Sequence, residues 1–410
     1  MNKFFLIPFV GLTALASCSS DEPAGNDKPF VICPTPVGRN IVEVQNNFSC
    51  DFFRHASAKA EEPNMVISPL SLSMALSMVA NGAEGETLSE ILTTLGIGSS
   101  LGEINELNNL LLQSFPIADK KVTVSFANSI WIDNGFPVLD NFVNINKECY
   151  KAEVNNVDIG TEETKNLINK WAEKQTKGLI KDLLHKPLGA GTKLALFNAL
   201  YFKGKWANKF NKDNTVPAPF HNADGKETRV RMMCAYSLPL KALEDDGLTA
   251  VSLPYGNGSF AMTLVLPAEN MTIDECISML DGKRLSQWHS YNENESTIEA
   301  EVQLPKFEIE YGAELNDHLQ AMGINSAFCA DADFSNLSNF PLYISKVFQK
   351  ARIIVDEEGT EAAAVTGVSM DLMSPIGPDN KSFVFDRPFV FYISERSTSS
   401  ILFMGKVTKL

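Results

Sequence analysis

The sequence carries no block of basic residues. Its 35 Lys and Arg are interspersed among 50 Asp and Glu, giving a formal net charge of −15. That balance argues against a nucleic-acid partner and against a basic patch for binding polyanions. Histidine is scarce: His55, His185, His221, His289 and His318 fall without HExxH or any other ligand spacing, so no metal is expected. None of the cysteines forms a CxxC pair, and metal-site spacing is absent on that side too. No phosphate-binding Gly loop is present. Gly98-Ser99-Ser100-Leu101-Gly102 fits GxSxG, but a nucleophile elbow needs a strand before it, and Ser89 to Leu95 reads as helix. A Gly/Ser loop between helices is the better reading. No catalytic set and no cofactor are expected. After about residue 40 no Pro/Ser-rich linker interrupts the chain, and 410 residues with 44% hydrophobic content can bury a core large enough for one domain of unusual size.

The patterning that remains points to an α+β fold. Ile41 to Ala60, Pro69 to Asn81, Leu88 to Leu95, Ile104 to Phe115 and Thr164 to Lys186 carry helical periodicity. Val122 to Ile132 reads as a strand, and Ala250 to Leu253 and Phe260 to Pro267 flank a Gly256-Asn257-Gly258 turn. Helices come first and strands dominate later, which argues against a wound α/β sheet.

The stretch from Val355 to Ser369 reads as a strand without the large side chains of a permanently buried one. At period two, Thr360, Ala362, Ala364, Thr366, Val368 and Met370 share one face, while Glu361, Ala363, Val365, Gly367, Ser369 and Asp371 share the other. The first face can slide over a core; the second, with its two acids, can face water.

This stretch resembles the hinge and proximal reactive-centre loop of an inhibitory serpin, a serine-protease inhibitor whose cleaved loop inserts into its own central sheet. Further blocks carry the resemblance from about residue 41 to the last: Asn64 to Leu76, Ile168-Asn169-Lys170-Trp171 with Thr176 to Ile180, Asn198 to Trp206, Leu304-Pro305-Lys306-Phe307, Phe385 to Phe391 and Leu402 to Val407, all in the family's order. The resemblance implies a large central mixed sheet with further sheets, a helical shell and an exposed mobile reactive-centre loop at about 357–384. It implies a monomer that acts on proteases rather than an enzyme. The non-inhibitory alternative within the family is a surface binding or carrier protein.

The family's roles fall on particular residues. Counting from Gly359 along a loop of the usual inhibitory length puts the scissile bond between Met373 and Ser374, with Leu372 or Met370 as alternatives because the segment from Ser374 to Phe385 is a few residues long for the family. The hinge comprises Glu357, Gly359, Thr360, Glu361, Ala362, Ala363 and Ala364. Glu357 and Lys306 match a salt-bridged pair where the loop enters the sheet, with Trp206 nearby. Ser68, Ser71 and Asn198 match the region over which the sheet opens, and Gln349 stands where many relatives carry a His, which puts pH sensitivity there in doubt. Met373 would suit an elastase-, subtilisin- or chymotrypsin-like serine endopeptidase, with cysteine endopeptidases as a further class, held as a covalent complex.

The N-terminus gives an address. Lys3 precedes the apolar run Phe4 to Leu12, too short to span a bilayer, and the run ends in Leu15-Ala16-Ser17-Cys18, which resembles a bacterial lipobox. Cleavage after residue 17 and acylation of Cys18 would anchor the chain to a membrane through lipid. Ser19-Ser20-Asp21-Glu22 resembles the export tag of surface lipoproteins in the Bacteroides group, implying an outer-membrane, surface-exposed protein. Residues 18–40 then read as a flexible tether and 41–410 as the folded domain. A compartment outside the cytoplasm permits disulfides, so a Cys33 to Cys50 bond is conceivable, but buried free thiols are the simpler expectation.

Overall fold

The computed structural model describes residues 28–96, 98, 100–189, 191–360 and 381–410. From the N-terminus the elements are α1 (Pro36–Lys59), β1 (Met65–Ile67), α2 (Pro69–Ala80), α3 (Gly85–Thr94), α4 (Leu101–Ser114), β2 (Val122–Asp133), α5 (Asp140–Tyr150), β3 (Glu153–Val157), α6 (Glu162–Gln175) and β4 (Leu194–Lys205). There follow β5 (Thr215–His221), β6 (Glu227–Asp245), β7 (Leu248–Tyr255), β8 (Phe260–Pro267), α7 (Ile273–Met279), α8 (Gly282–Asn294), β9 (Ile298–Pro305), β10 (Phe307–Glu314) and α9 (Asn316–Ala321). The chain ends with β11 (Phe348–Asp356), β12 (Gly359–Thr360), β13 (Lys381–Val384), β14 (Phe389–Glu395) and β15 (Ile401–Val407).

Two mixed sheets organise these elements. One runs β10-β11-β12-β4-β2-β3, antiparallel except for the parallel pair β2 and β3; the other runs β1-β15-β14-β8-β7-β6-β9-β13, with β5 on β6 and β13 parallel to β9. The main core lies between the sheets and under the helices. Phe202, Tyr255, Phe260, Phe391 and Phe403 meet there, and α2, buried at every residue but Ala75, packs into it. Apolar residues on nearly every side of α2 suit a helix enclosed all round. A smaller core of Trp131, Ile168, Trp171, Phe197 and Ala199 joins α6 to the outer face of β2 and β4.

Two element boundaries differ from the sequence reading by five residues or more. The helix expected over Thr164 to Lys186 stops at Gln175, because Lys177 (φ 50°) and Gly178 (φ 87°) take the left-handed conformation and Gly178 N donates to Glu173 O at 2.7 Å. That is a Schellman-type stop, with Gly where no Cβ strain arises. The segment beyond it is pinned without helix: Asn169 exchanges two side-chain bonds with the Leu184 backbone, and Lys350 and Arg352 donate to Asp182 O and Leu179 O. At the other boundary, residue 41 falls inside α1, whose Thr35 cap and Pro36 start it five residues earlier. The residues just before it are also held, with Phe30 N on Ser259 Oγ at 2.9 Å and Ile32 N on Ser397 Oγ at 2.8 Å. Cys33 and Cys50 are free thiols, the first exposed and the second buried.

Candidate functional site

β11 ends in a tight turn. Asp356 Oδ1 accepts from Glu358 N at 2.8 Å and Gly359 N at 3.3 Å, and the chain doubles back as β12. Val355 pairs with Thr360 on one side, and on the other Gly359 pairs with Lys205 and Thr360 with Gly204. Gly359 adopts φ +152°, and a Cβ there would meet Gly204 O at 1.9 Å, so only glycine fits. Thr360, the first residue of the face that can slide over a core, is already in the sheet and 2% exposed. Its side chain points into the main core, where Oγ1 lies 2.5 Å from the hydroxyl of Tyr255. Tyr255 is fully buried, and burial pushes its phenol well above the usual range.

The turn is gripped from several elements. Trp206, stacked on Tyr255 at 4.5 Å, donates Nε1 to Asp356 O at 2.9 Å and its backbone N to Glu358 O at 2.9 Å. Phe210 N donates to Glu357 O. Lys209 and Lys212 reach the Glu358 carboxylate at 2.5 and 3.3 Å, and the hydrogen bond from Lys209 leads in holding it below its ordinary pKa. Glu357 is 4% exposed, with Oε2 on Lys306 Nζ at 2.7 Å and Oε1 accepting from Thr215 Oγ1 at 2.8 Å. Burial raises its pKa, but the bonds from Lys306 and Thr215 and the Lys306 charge outweigh that and hold the carboxyl low. Asp356 goes the other way, pushed up by burial.

Lower on the same sheet, Gln349 on β11 faces Ser68, the cap of α2. Its Oε1 accepts from Ser68 N at 3.1 Å and its Nε2 donates to Ser68 O at 2.8 Å. Ser68 Oγ donates to Leu402 O at 2.8 Å. Ser71 Oγ donates to Asn198 Oδ1, and Asn198 Nδ2 donates to Asn128 Oδ1, which brings in β4 and β2. No ladder joins β4 to β11 among the described residues; both pair with β12, and Gln349 and Asn198 flank the lane between them lower down.

Glu357, Gly359, Thr360, Lys306 and Trp206 therefore meet at one pole, and Ser68, Ser71, Asn198 and Gln349 meet below it. Cys18, Glu361, Ala362, Ala363, Ala364, Met370, Leu372, Met373 and Ser374 lie outside the described residues. At the loop's far end, Lys381–Val384 forms β13 in a sheet rather than exposed loop. Ser100 of the GxSxG match caps α4, donating to Glu103 Oε2 at 3.2 Å and accepting from Glu103 N, with α3 rather than a strand before it. Sequence reasoning missed Tyr255, Thr215, Lys209, Lys212 and Asn128. Of these only Asn128, polar inside an apolar strand, carried a signal.

A family profile described as "Serpin (serine protease inhibitor)" matches residues 43–410. An uncharacterized serpin-like protein of Methanosarcina mazei is 33% identical over 379 residues, covering 90% of this chain and 87% of its own. A serine protease inhibitor of Cyanea capillata is 35% identical over 380 residues, 89% of this chain and 97% of its own. Among solved structures, the thermophilic serpin tengpin in its native state superposes with a TM-score of 0.83 at 30% identity, covering 93% of this chain and 97% of tengpin. Thyroxine-binding globulin in complex with thyroxine superposes at 0.81 and 29% identity, covering 90% and 99%.

Proposed function

Because this chain belongs to the serpin family, we propose that it is a suicide-substrate inhibitor of serine endopeptidases, with elastase-, subtilisin- or chymotrypsin-like enzymes as targets and cysteine endopeptidases as a further class. The target's nucleophilic Ser adds to the Met373 carbonyl, the Met373–Ser374 amide breaks, and the Ser374 amine leaves with a proton from the protease's His. Leu372 or Met370 serves if the longer distal loop shifts the bond. In this reading the chain acts as the substrate and the catalytic groups are the protease's, in keeping with a family of protease inhibitors. It supplies a trap.

The observation that carries this reading is the seated hinge. Thr360 pairs with Val355 and Gly204, and continuing that register places Ala362 opposite Ile353 and Phe202, Ala364 opposite Ala351 and Leu200, and Thr366 opposite Gln349 and Asn198. Small residues arrive where the flanking side chains are buried and apolar. Threonines arrive at the polar stations, Tyr255 for Thr360 and the Gln349/Asn198 pair for Thr366. Each added ladder bond contributes about 0.5–1.5 kcal/mol net, so extension to Met373 releases on the order of 10 kcal/mol. That is comparable to a domain's whole stability, so the uncut chain is trapped kinetically.

The same reading makes the chain a monomer, anchored by lipid on Cys18 in the outer membrane and facing outward; its support is the sequence alone. A second reading, a surface carrier, is favoured by a cavity of about 300 Å³ beside β6, β7 and α8, lined in part by Lys241, His289, Tyr392 and Arg396, and by the similarity to thyroxine-binding globulin. Incubation with subtilisin and elastase separates the two. An SDS-resistant complex at the summed mass supports the inhibitor; cleavage of the loop with full recovery of protease activity sinks it.

A further inference from the structure

We propose that the lower end of the central sheet carries a binding site for a small amphipathic organic anion. A cavity of about 250 Å³ lies where β4 and β11 begin. Leu184, Leu188, Leu194, Leu196, Phe197 and Phe348 give it an apolar floor. That floor is preformed, because Asn169 clamps the Leu184 backbone to α6 and Lys350 ties Asp182 to β11. The volume is below the 300–1,000 Å³ of pockets for drug-sized ligands, which selects a medium-length alkyl chain or a single-ring aryl group. The rim selects the charge. His185 and Lys186 are exposed and make no hydrogen bond or ion pair with another described residue, and the one acid there, Glu314, is held by Lys346 at 2.5 Å. An apolar body in the cavity thus brings a carboxylate or sulfonate to the uncommitted Lys186 ammonium with His185 beside it, whereas a cation would find the rim's carboxylate, Glu314, already paired with Lys346.

The position gives the site a consequence that rests on the trapping reading above. In the register set by Thr360, Gly367 falls opposite Phe197 and Phe348, and Ser369 opposite Ala195 and Lys346. An occupant touching both strands stands in the lane of the last residues to insert. It slows completion of the strand without touching the scissile bond, and turnover shifts from trapped complex toward released protease.

Titration calorimetry of the uncut protein with decanoate, decanol and decyltrimethylammonium, each below its micellar concentration, tests the site. One decanoate is expected to bind, at least tenfold more tightly than the cation. His185→Glu with Lys186→Glu, both on the surface, should weaken decanoate at least tenfold, and Leu188→Trp should abolish binding by filling the cavity. Equal affinity for all three probes, or full affinity in the filled variant, overturns the site. Saturating decanoate should also lower the fraction of subtilisin trapped; binding with unchanged partitioning refutes the coupling. If no protease is trapped even without decanoate, the inhibitor reading fails while the calorimetry still decides the site.

Discussion

Thr360→Arg separates the two states of the hinge. In the uncut chain, seating of Gly359 and Thr360 rests on a short ladder and one Thr360–Tyr255 hydrogen bond. At about 0.5–1.5 kcal/mol for each bond, the seating contributes about 2–4 kcal/mol. An arginine at this position carries its guanidinium into the buried surroundings of Tyr255, and an unpaired charge there costs about 3–5 kcal/mol or more. The uncut variant has an escape: β12 leaves the sheet, and the loss is limited to the seating energy. The inserted strand has none, since Thr360 lies at its start. If about 3 kcal/mol of the penalty enters the insertion barrier, insertion slows roughly 100-fold, while acylation at distant Met373 is unchanged. The assay is the stoichiometry of inhibition against subtilisin, read with SDS-resistant complex yield and the gain in thermal stability on loop cleavage. Stoichiometry should rise steeply and the thermal gain should shrink. Thr360→Val, which only leaves the Tyr255 hydroxyl unpaired, should still trap. A Thr360→Arg protein that traps with unchanged stoichiometry refutes the insertion argument outright.

Glu357→Gln keeps a bond to Thr215 but unpairs Lys306, and because Lys306 is 37% exposed at its side chain the loss should be only about 1–2 kcal/mol, read as a lower urea midpoint of the uncut protein. Glu357 has a lowered pKa in the fold, so its contribution is complete above the unfolded value of about 4.3 and disappears as pH falls through the lower folded value. Asp356 is raised, so its contribution has the opposite sign just above pH 4. The Gln variant should therefore lose stability less steeply below about pH 4 than the parent, and parallel acid titrations would contradict the pair's role. Gln349→His should make opening of the sheet depend on pH near 6.5, the ordinary His value, whereas the parent stays flat from pH 5.5 to 7.5 by hydrogen exchange. Cys18→Ala should release the chain from membranes and remove radiolabelled palmitate; unchanged attachment counts against the lipid anchor.

The family was legible because its requirements fall on residues with few substitutes. Gly359 sits where a Cβ would strike Gly204 O, and the run of small residues that follows it in the sequence is what the proposed late insertion would require. The end of α6 was less legible: Lys177 is an ordinary helix former, and only its left-handed φ before Gly178 stops the helix. The start of α1 had a signal that periodicity overlooks, since Thr35-Pro36 is a cap followed by a first-turn proline. Tyr255 had none. Its place against Thr360 depends on β7 of one sheet meeting β12 of the other, a contact between residues 105 positions apart.

That contact changes what cleavage has to accomplish. A strand starting from a free loop must first order a turn and several backbone dihedrals before any ladder bond forms, at about 1–2 kcal/mol for each residue fixed. Here the turn at Asp356–Gly359 is made, held by Trp206, Phe210, Lys209, Lys212 and Lys306, and the first pairs with β4 and β11 exist. On the insertion reading, successive residues after the cut would add ladder bonds alternately to β4 and β11 from an established end. Insertion in competition with deacylation then depends less on starting the strand than on clearing the lane below, where Gln349 holds Ser68 and Asn198 holds Ser71 and Asn128. Variants that loosen those lower bonds should speed trapping and also shorten the lifetime of the uncut form, because the same lane serves both.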